Sequence, residues 1–103
     1  MSRLIFRAGT GLIPKTVRIV EVGPRDGLQN EKSVVTTLTK LTLIDKLYTA
    51  GLISIEGGAF VSPKWVPQMA DSPDIFKELY TRRQQYPNAM FSALTPNMQG
   101  IVK

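Results

Sequence analysis

The chain has 103 residues, 43% apolar and 20% charged, which predicts a globular protein of one domain at most. It contains no cysteine or histidine, which excludes disulfides, thiolate metal sites, thiol nucleophiles and imidazole bases within these residues. The net charge is +5, and four basic residues precede the first acidic one, Glu21. The other nine basic and eight acidic residues nearly cancel, so we predict no nucleic-acid partner.

Residues 1–16 lack periodicity and contain Gly9, Gly11 and Pro14, so we assign them to a leader or linker. Their basic residues suit a mitochondrial presequence, and a frayed basic tail is an equal alternative. No apolar run approaches the ~18 residues of a membrane span, so we predict no membrane partner. The folded part is predicted to span 17–103.

The first predicted strand is Val17–Val22, whose β-branched, largely apolar sequence ends at a glycine and a proline. Residues 33–50 change to a spacing of three and four, which predicts an amphipathic helix with Gly51 just beyond its end. Its predicted apolar face comprises Leu38, Leu41, Ile44, Leu47 and Tyr48.

The second predicted strand is Leu52–Glu56, ended by Gly57-Gly58. Ser72, as an N-cap before Pro73 and Asp74, predicts a second helix, and Arg82-Arg83 complement its C-terminus. Residues 89–94 are the third predicted strand. The second helix is expected to bury Ile75, Phe76, Leu79 and Tyr80.

Strands alternating with crossover helices predict an α/β fold with parallel pairing. A closed (β/α)8 barrel needs eight strands and about 250 residues, whereas three strands can be counted here. Because the carboxyl ends of parallel strands meet at one edge, we expect Arg25, Asp26 and Glu56 to share that edge. Without further context, Arg25-Asp26-Gly27 is more often a surface turn with an ion pair.

Residues 17–31, V-R-I-V-E-V-G-P-R-D-G-L-Q-N-E, resemble the opening signature of the hydroxymethylglutaryl-CoA lyases. The resemblance continues through F-V-S-P-K-W-V-P-Q-M at 60–69 and L-T-P-N at 94–97, and covers most of residues 14–100. It implies that the chain forms the first three strands of a (β/α)8 (TIM) barrel, an incomplete barrel. We take Trp65 and Met69 for packing residues over the barrel mouth and Lys64 for a solvated loop lysine.

In that family the reaction is the metal-assisted cleavage of 3-hydroxy-3-methylglutaryl-CoA to acetyl-CoA and acetoacetate, in leucine catabolism and ketone-body formation. The resemblance implies that Asp26 is a ligand of Mg²⁺ or Mn²⁺ and that Arg25 is catalytic and holds the substrate carbonyl. Glu56 would also be catalytic, organising the polar network around them. Gln29 would lie near the substrate, or else hydrogen-bond the backbone of the turn.

Two departures from the family pattern bear on activity. The family reads T-T-S-F after the strand-end Glu, whereas this chain has Gly57-Gly58-Ala59 before Phe60, which predicts a less preorganised loop and one lost hydrogen bond near the substrate. The family's two His ligands, Asn ligand and catalytic Cys come from later segments. We therefore expect no turnover by these 103 residues alone.

Two other interpretations stay open: a truncated, non-catalytic paralogue that binds a complete barrel, and a fragment of a related acyl-CoA condensing synthase. The expected small-molecule partner is an acyl-CoA. A homo-oligomer and pairing with a complete barrel are both compatible with open sheet edges. The expected location is the mitochondrial matrix, and otherwise the cytoplasm.

Overall fold

The computed structural model describes residues 15–97, so most of the predicted leader, 1–16, lies outside the described residues. In this range the strands are β1 (Val20–Glu21), β2 (Ser54–Ala59) and β3 (Met90–Leu94). The α-helices are α1 (Thr37–Thr49) and α2 (Ser72–Thr81). No helix in this part of the chain is long and apolar enough to cross a membrane.

The sheet has the order β1-β2-β3 with parallel pairing throughout, which confirms the predicted topology. The prediction of a first strand over Val17–Val22 is wrong in extent, because only Val20 and Glu21 pair with β2. The Val22 carbonyl instead accepts hydrogen bonds from the next turn, so it is unavailable to a longer ladder.

Gly57-Gly58 does not end the second strand, as the sequence predicted, since β2 continues to Ala59. Glu56 pairs with Ser92 and Gly58 with Ala93, so Gly57 is an extra residue that shifts the register. A Cβ on Gly57 would lie 3.5 Å from the Phe76 ring. A Cβ on Gly58 would lie 2.5 Å from the Ser72 Oγ, so the missing side chain at Gly58 lets α2 lie directly on the strand.

Helix α1 begins at Thr37, four residues after the predicted start at Ser33. Thr36 is the N-cap, and its Oγ1 accepts the Thr39 N–H at 3.2 Å. Gly51 follows the C-cap with a φ of 102°, which confirms its predicted place. Its N–H donates to the Tyr48 carbonyl, and the Leu52 N–H to the Leu47 carbonyl, a Schellman motif.

Helix α2 begins at Ser72, so the predicted N-cap is the first helical residue and Asp71 precedes it. The buried Ser72 hydroxyl accepts the Ala59 N–H at 3.0 Å and so joins α2 to β2. The predicted role of Arg82-Arg83 is confirmed for Arg83, which donates to the Tyr80 carbonyl at 2.9 Å.

The core lies where both helices cover one face of the sheet, and it buries Leu41, Ile44, Ile55, Ile75, Leu79 and Tyr86. The prediction that Leu38 and Tyr80 face this core is wrong, since they are 71% and 68% exposed. The Tyr80 ring lies on the outer face of α2, 4.2 Å from the Arg83 guanidinium. The buried stripe on each helix is therefore narrower than the apolar spacing indicates.

Candidate functional site

A wide helical turn, Gly23–Gly27, follows β1 and presents Arg25 and Asp26. The Val22 carbonyl accepts the N–H groups of Arg25 and Asp26 at 3.1 and 2.7 Å. Pro24 is buried at the start of this turn, where its fixed φ is compatible with helical geometry. The turn thus places two charged side chains immediately beyond the β1 end of the sheet.

The structure brings Arg25 and Glu56 together. The Arg25 Nε donates a hydrogen bond to Glu56 Oε1, and each side chain is 18% exposed. Glu56 is the third residue of β2, and the strand continues to Ala59. The prediction that Glu56 ends the strand is therefore wrong. The pair still forms because the turn after β1 reaches across to the neighbouring strand.

Asp26 lies on the solvent side of this pair. Its Oδ1 is 3.5 Å from an Arg25 guanidinium nitrogen, and its side chain is 57% exposed. An exposed carboxylate beside a guanidinium keeps oxygen lone pairs open for a hard cation. Residues 15–97 contain no group of three or more acidic, His or Cys side chains that could hold a metal ion. Asp26 therefore fits the part of a single ligand.

Gln29 is half-buried and lies two residues after the turn. Its amide does not bond the backbone of the turn; Asn30 does so instead, donating from Nδ2 to the Asp26 carbonyl at 3.1 Å. The structure thus places Gln29 near the turn but does not join it to Arg25 or Glu56.

The loop between β2 and α2 contains the F-V-S-P-K-W-V-P-Q-M segment. Met69 is 2% exposed, as expected for a packing residue, whereas Trp65 is 78% exposed, so its predicted packing role is wrong for this structure. Lys64 is solvated as predicted, with its Nζ 5.8 Å from the Trp65 ring centroid.

Sequence reasoning missed a second charged cluster, centred on Lys40. Lys40 is 2% exposed, and its Nζ lies 2.5 Å from Asp71 Oδ1. The signal was its spacing: Lys40 precedes the buried Ile44 by four residues and so lies on the inner stripe of α1.

Known proteins resemble this chain in both sequence and structure. No family model matches the chain. Hydroxymethylglutaryl-CoA lyase, mitochondrial, from Mus musculus is 55% identical over 99 residues, 96% of this chain and 29% of that protein. The crystal structure of the Pseudomonas aeruginosa lyase is 53% identical with a TM-score of 0.76, over 86% of this chain and 28% of that one. The chain is similar to hydroxymethylglutaryl-CoA lyases over nearly its whole length.

A third family member, from Acinetobacter baumannii, was solved in complex with coenzyme A and 3-methylmalate. It is 38% identical to the chain, with a TM-score of 0.74 over 82% of this chain and 27% of that one. The chain thus spans under a third of the length of the lyases it matches. The three parallel strands and two crossover helices match part of the barrel of these lyases, which confirms the predicted fold class.

Proposed function

We propose that this chain contributes one edge of a hydroxymethylglutaryl-CoA lyase active site, in which Arg25, Asp26 and Glu56 act together. The observation that supports it best is the hydrogen bond between Arg25 and Glu56, across two strands, beside the open carboxylate of Asp26. The proposed reaction cleaves the C2–C3 bond of 3-hydroxy-3-methylglutaryl-CoA. It yields acetyl-CoA and acetoacetate.

Arg25 would stabilise the charge that develops during this cleavage. As the C2–C3 bond breaks, its electron pair moves to C2 and delocalises onto the thioester oxygen, forming an enolate. A guanidinium fixed near that oxygen interacts more strongly with the enolate than with the substrate, which lowers the barrier. Arg25 suits this role because it stays charged at neutral pH and is already held by Glu56.

Asp26 would bind a divalent cation, Mg²⁺ or Mn²⁺, with the other ligands supplied from outside residues 15–97. When bound, such a cation orients the substrate and makes its C3 hydroxyl easier to deprotonate. Asp26 has the exposed carboxylate that this role needs, while Glu56 is engaged by Arg25. We assign Glu56 to orienting Arg25, and Gln29 to the substrate-facing side of the turn.

The acyl-CoA substrate is carried over from the names of the relatives and from the coenzyme A bound to the Acinetobacter baumannii lyase. We also propose the mitochondrial matrix as the location, with residues 1–16 as a presequence. The basic, acid-free composition of that segment and the mitochondrial names of the mouse, rat and human relatives support this, although the family includes bacterial members. Fusing residues 1–16 to a fluorescent protein tests import directly.

The function is tested by a chimera in which residues 15–97 replace the corresponding segment of the Pseudomonas aeruginosa lyase. We expect metal-dependent release of acetoacetate from the chimera and none from the 103-residue chain. Asp26→Asn should raise the concentration of Mg²⁺ or Mn²⁺ needed for half-maximal activity, while Asp74→Asn, an exposed acid on α2, should not. A folded chimera without activity would rule the proposal out.

A further inference from the structure

Lys40 makes two contacts that join α1 to the loop between β2 and α2. Its ammonium donates hydrogen bonds to the backbone carbonyl of Gln68 and to Asp71 Oδ1. The other carboxylate oxygen of Asp71 accepts from the Thr37 hydroxyl at 2.6 Å. A buried ammonium is costly unless it is paired, so these partners define where the loop must lie.

The same loop residue reaches the turn that carries the candidate site. While the Gln68 backbone is held by Lys40, its side-chain Nε2 donates to the Glu31 carbonyl at 2.8 Å. Gln68 thus lies between a buried charge on one side and the segment after the Gly23–Gly27 turn on the other.

The segment from the turn to Glu31 is a series of hydrogen-bonded turns. The Glu31 N–H donates to the Leu28 carbonyl at 3.1 Å, and the Asn30 side chain donates to the Asp26 carbonyl at the same distance. Since Asn30 and Glu31 are neighbours along the chain, holding Glu31 also restrains the contact between Asn30 and Asp26. Helix α1 also packs directly against the Gly23–Gly27 turn.

We propose that Lys40 is a positioning residue for the candidate site, because it fixes Gln68, which holds the Arg25-Asp26 turn through Glu31. The Lys40 ammonium does more than neutralise Asp71, since it donates hydrogen bonds to a backbone carbonyl and to a carboxylate at once. The geometry of these two bonds fixes the position of the loop. That this serves catalysis rests on the proposed function, whereas the mechanical link from Lys40 to the turn does not.

The link is tested by hydrogen exchange in the 103-residue chain. Gln68→Met removes the amide donor but keeps the backbone carbonyl that Lys40 binds. We expect the amides of 28–31 to exchange roughly five- to tenfold faster, with the melting temperature and the protection of α2 unchanged. Gln84→Met, at an exposed position, is the matched control. Unchanged exchange at 28–31 would overturn the proposal.

A second set of variants distinguishes a positioning role of Lys40 from simple neutralisation of the Asp71 charge. Lys40→Met should lower the melting temperature and speed exchange in both 62–70 and 28–31, while Lys46→Met, on the exposed side of α1, should do neither. Lys40→Met/Asp71→Leu should recover most of the lost melting temperature, because no unpaired carboxylate remains, yet exchange should stay fast.

Normal protection at 28–31 in the double variant would show that Lys40 only neutralises Asp71, and the proposal would fail. If the charge variants do not fold, unchanged exchange at 28–31 in Gln68→Met still overturns the proposal, because the path from Lys40 to the turn runs through that amide. None of these readouts uses lyase activity. Failure here therefore leaves the proposed function untouched, and failure of the acetoacetate assay leaves the link between Lys40 and the turn untouched.

Discussion

The Arg25–Glu56 and Lys40–Asp71 pairs each join residues 31 positions apart, but water reaches their cations differently. Arg25 is 18% exposed, like Glu56, where the turn after β1 meets the central strand β2. Lys40 is 2% exposed and directs its ammonium into the loop before α2, while its partner Asp71 is 20% exposed. The partly exposed guanidinium of Arg25 is within reach of a ligand, whereas the buried ammonium of Lys40 fixes the position of a segment.

This contrast predicts that the Lys40–Asp71 pair contributes more to stability. Lys40→Met should lower the free energy of unfolding by about 3 kcal/mol, because it leaves the Asp71 carboxylate without its buried partner. Denaturant titration of the 103-residue chain measures the change, with Lys46→Met as the control. Equal midpoints for the two variants would contradict the distinction between the pairs.

The Arg25–Glu56 pair should matter more for activity than for stability. In the chimera, Arg25→Lys should reduce kcat by about 10²- to 10³-fold, because an ammonium does not reproduce the donor geometry of a guanidinium. Arg25→Lys should lower the free energy of unfolding by less than Lys40→Met does. Acetoacetate release and denaturant titration on the same preparation give both values. A large loss of stability with a small loss of kcat would show instead that the Arg25–Glu56 pair serves stability more than activity.

The close contact between β2 and α2 at Gly58 should limit which side chains that position tolerates. A Cβ on Gly58 would lie 2.5 Å from the Ser72 hydroxyl and 3.1 Å from its Cβ. Gly58→Thr should therefore cost about 1 to 3 kcal/mol of unfolding free energy. Gly58→Thr/Ser72→Gly should recover part of this loss, since it removes the opposing atoms. Equal destabilisation of both variants would exclude this contact as the cause.

The smallest expected effect concerns pH. Burial, followed by the hydrogen bond to Asp45, raises the pKa of Tyr86 above its usual 10.0. Since the folded chain holds this proton more tightly than the unfolded one, the linked stability is present below pH 10 and is lost as pH rises through the folded-state pKa. Comparing unfolding between pH 9 and pH 11 for the native chain and Tyr86→Phe tests the sign. The native chain should lose more stability.

Local patterns were enough to predict the topology and several helix ends. The alternation of strands and helices predicted the parallel sheet, and Gly51 was placed correctly because only a residue tolerant of positive φ suits that position. The prediction from Gly57-Gly58 was wrong, because a sequence does not distinguish glycines that end a strand from glycines that allow a helix to pack closely on it. The difference lies in Phe76 and Ser72, which pack on β2.

The sequence alone determined the fold class, the family resemblance and the placement of Arg25 and Asp26 just beyond a strand, because these depend on residues that are close along the chain. Only the tertiary structure decided that Arg25 reaches Glu56, that Lys40 is buried where it meets Asp71, and that Trp65 faces solvent. The physical reason is that the energy of a charged or aromatic side chain depends on which distant elements exclude water from it. That is settled when the helices pack on the sheet, not by local spacing.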